Sequence, residues 1–369
     1  MQKIAAFIKK EPVLSVSFLA AALSCCAVPP DGEYIRYMDF RTLTLLYCLM
    51  ATVSGLGRAG IFTSLAHGMC ARTRTLRGLC AALLLLCFFT SMLVTNDVAL
   101  ITFVPFTASL YAMAGREDKL VWIVVLETAA ANLGSMLTPV GNPQNIYLFS
   151  KYAMSTGAFF SATAPVCAVS LALLLLLCLG TPAWALGIDF GESPGFDKKT
   201  LYLSLAMLAA CLLCVFRAIP WYALLPGFIA ALLIFDRKLL VEADFLLLLT
   251  FVCFFVFAGN LGRTETVERA VRAALGGREL VAGALLSQVI SNVPAAVLLS
   301  GFTDNGRALL LGTDIGGLGT PVASLASLIS LRVYSRTPGA KTGAYLAAFT
   351  AANFGLLAVL LIFARLFLL

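Results

Sequence analysis

Asn132, Thr138, Pro139, Gly141 and Asn142 fall within one apolar stretch, residues 120–149, where a membrane helix would be expected to run on. Amide, hydroxyl and freed backbone carbonyl oxygens are natural ligands for a dehydrated hard cation, and helix N-termini suit an anion. Proline removes a backbone donor and clashes with the preceding turn, so Pro139 and Pro143 break the helix here. In hydrocarbon a break is tolerated only where it is buried in protein or lines a cavity. The pattern recurs later in the chain. Gly134, Thr138, Pro139 and Val140 are matched, at one constant offset, by Gly316, Thr320, Pro321 and Val322, and Asp314 stands beside this second copy. Two shorter motifs, Thr95-Asn96-Asp97 and Ser291-Asn292, each interrupt a pair of short apolar arms. Broken helices at corresponding positions of two halves point to the binding site of a transporter.

The carboxylates sharpen the chemistry. No Lys or Arg occurs in 90–104, 120–149, 286–302 or 308–331, whereas Asp97 and Asp314 do. A carboxylate at membrane depth without a basic partner must be protonated or paired with a bound cation. Plainer alternatives are a solvated turn for Asp97 and a helix cap for Asp314. Asn132, Asn142 and Asn145 could also be caps, though they would cap the break itself. Glu127 lies in an apolar run with no motif around it, and is either functional or a hydrogen-bonded structural acid. Half-helix ends carry about +0.5 charge at N-termini and about −0.5 at C-termini. The architecture therefore offers an anion site beside cation sites. Na⁺ is favoured over H⁺ as coupling ion because Asn and Ser oxygens are hard-cation ligands; Asn96, Asp97 and Asn292 are the residues expected to hold it. No other cofactor is expected.

The elements that must position these residues are transmembrane helices. Of the 369 residues, 60% are hydrophobic and 12% charged, against about 25% charged in a soluble domain. Apolar runs of spanning length recur along the whole chain, which makes it an all-α polytopic membrane protein in contact with the lipid bilayer. The net charge of +7 requires no nucleic acid, because cytoplasmic loops carry excess Arg and Lys. The eleven cysteines lie mostly in apolar runs, and the Cys211/Cys214 pair reads as core packing. The one histidine, His67, is expected in a polar loop and excludes a His-based metal site. A run from Pro12 to Pro29 behind Lys3, Lys9 and Lys10 is a span, with a signal peptide as the alternative. Arg58, Arg72, Arg74 and Arg77 occupy a loop free of acids, which the positive-inside rule places in the cytoplasm together with the N-terminus.

Two inverted-topology repeats are expected, each with a re-entrant helical hairpin and a broken transmembrane helix. The first is 1–180, with hairpin 78–113 and broken helix 120–149. A linker, 181–199, follows. Residues 200–369 hold an extra span and the second repeat, with hairpin 280–302 and broken helix 309–331. Asp39-Phe40 and Gly57-Arg58 recur as Asp244-Phe245 and Gly262-Arg263, and Trp221–Phe235 matches the first span. The arms around Thr95-Asn96-Asp97 are either two full spans or a hairpin. Asp97 lies at the outer surface in the first case and near the midplane in the second.

Thr95-Asn96-Asp97-Val98-Ala99-Leu100, Thr138-Pro139-Val140-Gly141-Asn142-Pro143-Gln144-Asn145 and Ser291-Asn292-Val293-Pro294-Ala295-Ala296 resemble the ion-transporter superfamily. That group includes citrate-transporter-like proteins, divalent anion:sodium symporters and arsenite efflux pumps. The resemblance covers nearly the whole chain. It implies a homodimer with a scaffold and a moving transport domain, working by elevator-type alternation in the cytoplasmic or inner membrane. The sodium and carboxylate roles of the symporters' Ser-Asn-Thr triplets carry over to Thr95, Asn96, Ser291 and Asn292, and their Thr-Pro loops to Thr138-Pro139 and Thr320-Pro321. Asp97 and Val293 replace the Thr of each triplet, and an Asn-Asp pair is more like the arsenite branch. The expectation is a secondary transporter for a di- or tricarboxylate or an inorganic oxyanion, coupled to Na⁺ or H⁺. A proton-coupled metalloid extruder is the rival within the class, and a membrane-embedded enzyme the rival outside it. An enzyme would need a nucleophile or metal cluster at a membrane face, and the sequence offers none.

Overall fold

The computed structural model describes residues 11–187, 191 and 195–369; Lys3, Lys9 and Lys10, and linker residues 188–190 and 192–194, lie outside them. Among the described residues all the secondary structure is helical apart from one isolated bridge between Thr75 and Ala185. Six stretches of the described residues are long and apolar enough to cross a membrane: Phe40–Arg58, Leu76–Val94, Thr156–Cys178, Lys198–Val215, Arg237–Gly262 and Thr342–Phe367. The chain is an all-α polytopic membrane protein.

In chain order the helices are α1 (Pro12–Ala27), α2 (Phe40–Arg58), α3 (Ile61–Cys70), α4 (Leu76–Val94), α5 (Asn96–Met113), α6 (Leu120–Ser135), α7 (Pro143–Lys151) and α8 (Thr156–Cys178). Then follow α9 (Lys198–Val215), α10 (Trp221–Phe235), α11 (Phe245–Gly262), α12 (Glu265–Leu275), α13 (Glu279–Ile290), α14 (Asn292–Leu299), α15 (Gly306–Ile315), α16 (Leu325–Ser335) and α17 (Thr342–Phe367). A 3₁₀ turn, Pro321–Ala323, lies between α15 and α16. Both broken segments are thus helix, irregular turn, helix. The prolines explain this, because neither Pro143 nor Pro321 can donate to a preceding turn, and each stands at the start of a new helical element.

Two expectations need correction. Residues 58–77 are not a plain loop, for they contain α3, and residues 263–279 contain α12. The amphipathic α12 meets α13 at a bend of 113°. His67 sits half-buried on α3, not in a polar loop. Nine cysteines are buried and all the described ones are free; Cys211 and Cys214 pack inside α9, as their apolar setting suggested.

The helices sort into two packed groups. Around α6 are gathered α4, α5, α8, α16 and α17, while α13, α14 and α15 pack on one another. In the other group α1 packs on α11, and α9 and α10 on α2. The pair α2 and α11 runs antiparallel. Tyr37, just before α2, covers Gly259 near the end of α11, while Tyr47 of α2 meets Phe245 at the start of α11, ring centroids 6.0 Å apart. Reciprocal ion pairs close both ends. Arg58 meets Asp236 at 3.0 Å and Glu242 at 3.3 Å, and Arg263 meets Asp31 at 2.8 Å. The Arg263 guanidinium holds the Asp31 carboxyl below the usual carboxylate range. Asp31 follows α1 as Asp236 follows α10, so the match between the first span and Trp221–Phe235 extends to their ionic partners. The linker is anchored at both ends: Leu76 N donates to Trp184 O at 2.9 Å and Asp197 N to Ala59 O at 2.9 Å.

Candidate functional site

Each hairpin turns on one residue. Thr95, between α4 and α5, has φ 70° and ψ 148°; Ser291, between α13 and α14, has φ 76° and ψ 154°. Non-glycine residues held in such conformations cost about 1–3 kcal/mol each and gather at functional sites. The next residue closes the turn in the same way twice. Asn96 Oδ1 accepts from Asp97 N at 3.0 Å, and Asn292 Oδ1 from Val293 N at 3.0 Å.

Each broken helix docks on its own hairpin through its Thr-Pro pair. The Thr138 hydroxyl donates to the Met92 carbonyl and accepts from Gly141 N at 3.1 Å. The Thr320 hydroxyl donates to the Gln288 carbonyl at 3.1 Å. Met92 and Gln288 hold the same place, one turn before the tip residue. Gln288 also donates through Nε2 to Gly316 O (2.9 Å) and Leu318 O (3.0 Å), which satisfies carbonyls freed by the break. Gly134 and Gly316 let the backbones touch. A Cβ on Gly134 would lie 2.1 Å from Phe88 O, and one on Gly316 2.7 Å from Ala284 Cα. Gly141 folds back so tightly that a Cβ there would sit 2.1 Å from Ser135 O. Pro139 and Pro321 follow the docked threonines directly.

The two halves then cross. Asn132 Oδ1 accepts from Asn96 Nδ2 and from Ser324 Oγ, each at 3.0 Å, and Asn132 Nδ2 donates to Ser327 Oγ at 3.0 Å. Asp314, at the matching place on α15, accepts from Gln144 Nε2 at 3.3 Å through Oδ1. Asn142 and Asn145 are the sequence matches of Ser324 and Ser327, so each half's polar helix residue faces the opening of the other half's second helix segment. Asn132 lies twelve residues into α6, about 18 Å along its axis from the charged turn Glu117–Lys119. That depth puts the Asn96 tip inside the bundle. In the second hairpin, α13 and α14 have 12 and 8 residues, too short to cross about 30 Å of hydrocarbon.

The sequence-derived residues do not form one site. Asn96 and Asn132 meet, Asp314 meets Gln144, and Asn292 lies against Gly317. No hydrogen bond joins Asn96 to Asn292 among the described residues. Ser291 reaches the Ala323 carbonyl at 3.4 Å. Glu127 accepts from Thr107 on α5, as a structural acid tying α5 to α6 would. Ser324, Ser327, Gln144 and Gln288 were missed. The repeat offset carried from Asn142 and Asn145 would have found the two serines.

Asp97 stands apart. It lines a cavity of about 250 Å³ with Thr95, Ser54, Glu242 and Asp244, at the end of α2 and start of α11. A second cavity, about 230 Å³, occupies the opposite end of the same antiparallel pair and is lined by Arg36, Tyr37, Tyr147, Lys151, Gly259 and Val297. Three carboxylates line the first cavity and two bases the second.

A transporter-like site invites comparison with known proteins. The family model described as Citrate transporter matches residues 4–305. The chain belongs to the citrate transporter family. Relatives of this family member include the uncharacterized transporter MJ0456 of Methanocaldococcus jannaschii, 32% identical over 82% of this chain and 83% of that protein. Inner membrane protein YbiR of Escherichia coli is 32% identical over 80% of each. The silicon efflux transporter LSI3 of Oryza sativa subsp. japonica is 29% identical over 41% of this chain and 31% of its own length. Among solved structures, the Alcanivorax borkumensis YdaH transporter superposes with TM-score 0.55 over 90% of this chain and 86% of that one, at 14% identity, which supports the fold alone. This member of the citrate transporter family is therefore a multi-pass membrane transporter.

Proposed function

We propose that the chain is a secondary active transporter that carries a small anion, a di- or tricarboxylate or an inorganic oxyanion, coupled to Na⁺ or H⁺. The observation that carries this reading is the pair of cavities of opposite charge at the two ends of the α2–α11 pair. Arg36 and Lys151 suit an approaching anion, and Asp97, Glu242 and Asp244 suit a cation. The tip and break residues Thr95, Asn96, Thr138, Pro139, Gly141, Asn142, Ser291, Asn292, Thr320 and Pro321, though not gathered in one cluster, supply the binding contacts. The hairpins and broken helices form a transport domain that moves against the α1–α2 and α9–α11 scaffold by elevator-type alternation, in a homodimer. The domain division is 1–180 and 200–369, joined by 181–199.

Uptake into proteoliposomes tests this, with carboxylates, sulfate and arsenite under separately imposed Na⁺ and H⁺ gradients. Anion uptake that follows one gradient is the expected result. A second reading, proton-coupled metalloid efflux, has specific support in the Asn96-Asp97 tip and in the likeness to a silicon efflux transporter. Arsenite movement driven by H⁺ alone, with no carboxylate uptake, would put it first. Asp97→Asn is expected to weaken the cation dependence more than substrate recognition, because Asp97 is the tip's carboxylate in the acidic cavity. An active Asp97→Asn protein with unchanged Na⁺ and pH dependence would remove Asp97 from coupling.

Inverted topology is part of the same proposal, with the N-terminus cytoplasmic in an inner membrane. The antiparallel run of α2 and α11 supports it, since Gly57-Arg58 and Gly262-Arg263 end at opposite faces. Single cysteines in 58–77 and in 263–279, in a background freed of reactive thiols, should differ in labelling by an impermeant reagent on intact cells. Labelling of both from outside would overturn the inverted arrangement.

A further inference from the structure

The two crossings between halves are mates in sequence but not in chemistry. Around Asn132, three hydrogen bonds, accepted from Asn96 and Ser324 and donated to Ser327, close the cluster. At Asp314 and at the start of α7 polar atoms stay unpaired. Asp314 Oδ2, Gln144 Oε1, Asn145 Oδ1 and Asn142 Oδ1 are all buried and have no hydrogen-bond partner. Their residues are at most 2% exposed. Gln144 bonds the Asp314 carboxylate through Nε2, and the Asn145 amide nitrogen, which donates to the Met136 and Thr138 carbonyls, is the group turned towards the same carboxylate. A buried acceptor left unmet costs about 1–3 kcal/mol, more when charged. Asp314 makes no ion pair among the described residues, and the nearby N-terminus of α7 supplies only about half a positive charge.

We propose that Asp314 Oδ2, Gln144 Oε1 and Asn142 Oδ1 form a Na⁺ site: Asp314 gives the one full negative charge, and Gln144 and Asn142 give neutral carbonyl ligands. One carboxylate balances a monovalent ion and leaves a divalent one undercompensated. A proton on Asp314 would satisfy Oδ2 and one acceptor, and leave the others unmet; a hard cation meets several oxygens at once. The site is distinct from the hairpin tips. It joins the end of α15 to the start of α7, so a bound ion would fasten one broken helix to the other. Its role rests on the transport reading above, but its existence does not, and the test is accordingly one of equilibrium binding.

The experiment follows Na⁺ binding to the purified full-length protein by thermal unfolding. NaCl replaces choline chloride at constant ionic strength, at two pH values, with infrared difference spectra of the carboxylate and amide carbonyls. Wild type should gain stability with Na⁺ and show a Na⁺-induced carboxylate band. Asp314→Asn should lose that band and bind Na⁺ at least about tenfold more weakly, since changing even an outer-shell partner costs about 10–100-fold in metal affinity. Gln144→Leu should weaken binding while keeping the carboxylate band. Asn96→Ala should retain the band, which separates this site from the tips. An unchanged carboxylate band and Na⁺ affinity in a folded Asp314→Asn protein would overturn the proposal. So would a wild-type carboxylate that responds to pH and not to Na⁺. Binding without transport would leave the site standing and count against the transport reading.

Discussion

Asn132→Ala should reduce transport by a factor on the order of a hundred while leaving a folded, membrane-inserted protein. Three hydrogen bonds converge on this one amide, from a hairpin tip and from two serines of the other half. Each is worth about 1 kcal/mol net, and together about 3 kcal/mol, which converts to roughly a hundredfold at about 1.4 kcal/mol per tenfold. The loss falls on geometry more than on folding, because Asn96 and Ser324 are left without the group that orients them. Ser327→Ala removes one bond of the three and should cost about tenfold or less. The checks are initial uptake rates in proteoliposomes and the thermal midpoint of the same preparations. A wild-type rate in Asn132→Ala would mean that the crossing of the halves is not part of the transport site.

Gly134→Ala should have the largest effect on stability. A methyl group at this position meets the Phe88 carbonyl oxygen at 2.1 Å and carbon at 2.8 Å, and Ser91 Oγ at 2.8 Å. Two of those three atoms are backbone, so no side-chain rotation relieves the clash, and α4 must move away from α6. Overpacking typically costs about 1–3 kcal/mol, and a rigid backbone neighbour puts this case at the upper end. Separating α4 from α6 also draws the Met92 carbonyl away from Thr138. A large fall in thermal midpoint and in folded yield is therefore expected. Gly355→Ala, where a Cβ meets nothing within 4 Å, is the control and should behave as wild type. A Gly134→Ala protein as stable as the control would show that α4 and α6 are not in contact at this glycine.

Local physics made part of this protein legible in its sequence. Apolar runs of spanning length fixed the membrane class, and prolines fixed where two of those runs must break, because a missing donor and a ring clash need no distant partner. The repeat of Gly, Thr, Pro and Val fixed that the breaks correspond. Helix α3 is not legible in the charge pattern, because the positive-inside rule counts charge and says nothing about whether a charged segment is also helical. What the tertiary structure decided is which polar groups meet. Asn132 finds Ser324 and Ser327 across 192 and 195 residues, and Asp314 finds Gln144 across 170. No local pattern encodes such pairings. They arise because two hairpins and two broken helices pack together, and buried polar groups then bond to whatever the packing brings within reach. The same packing gave Asp97 to a cavity with Glu242 and Asp244, residues that precede the other half's helix. It left Asp314, whose own segment looked no different in kind, with one carboxylate oxygen that has no donor.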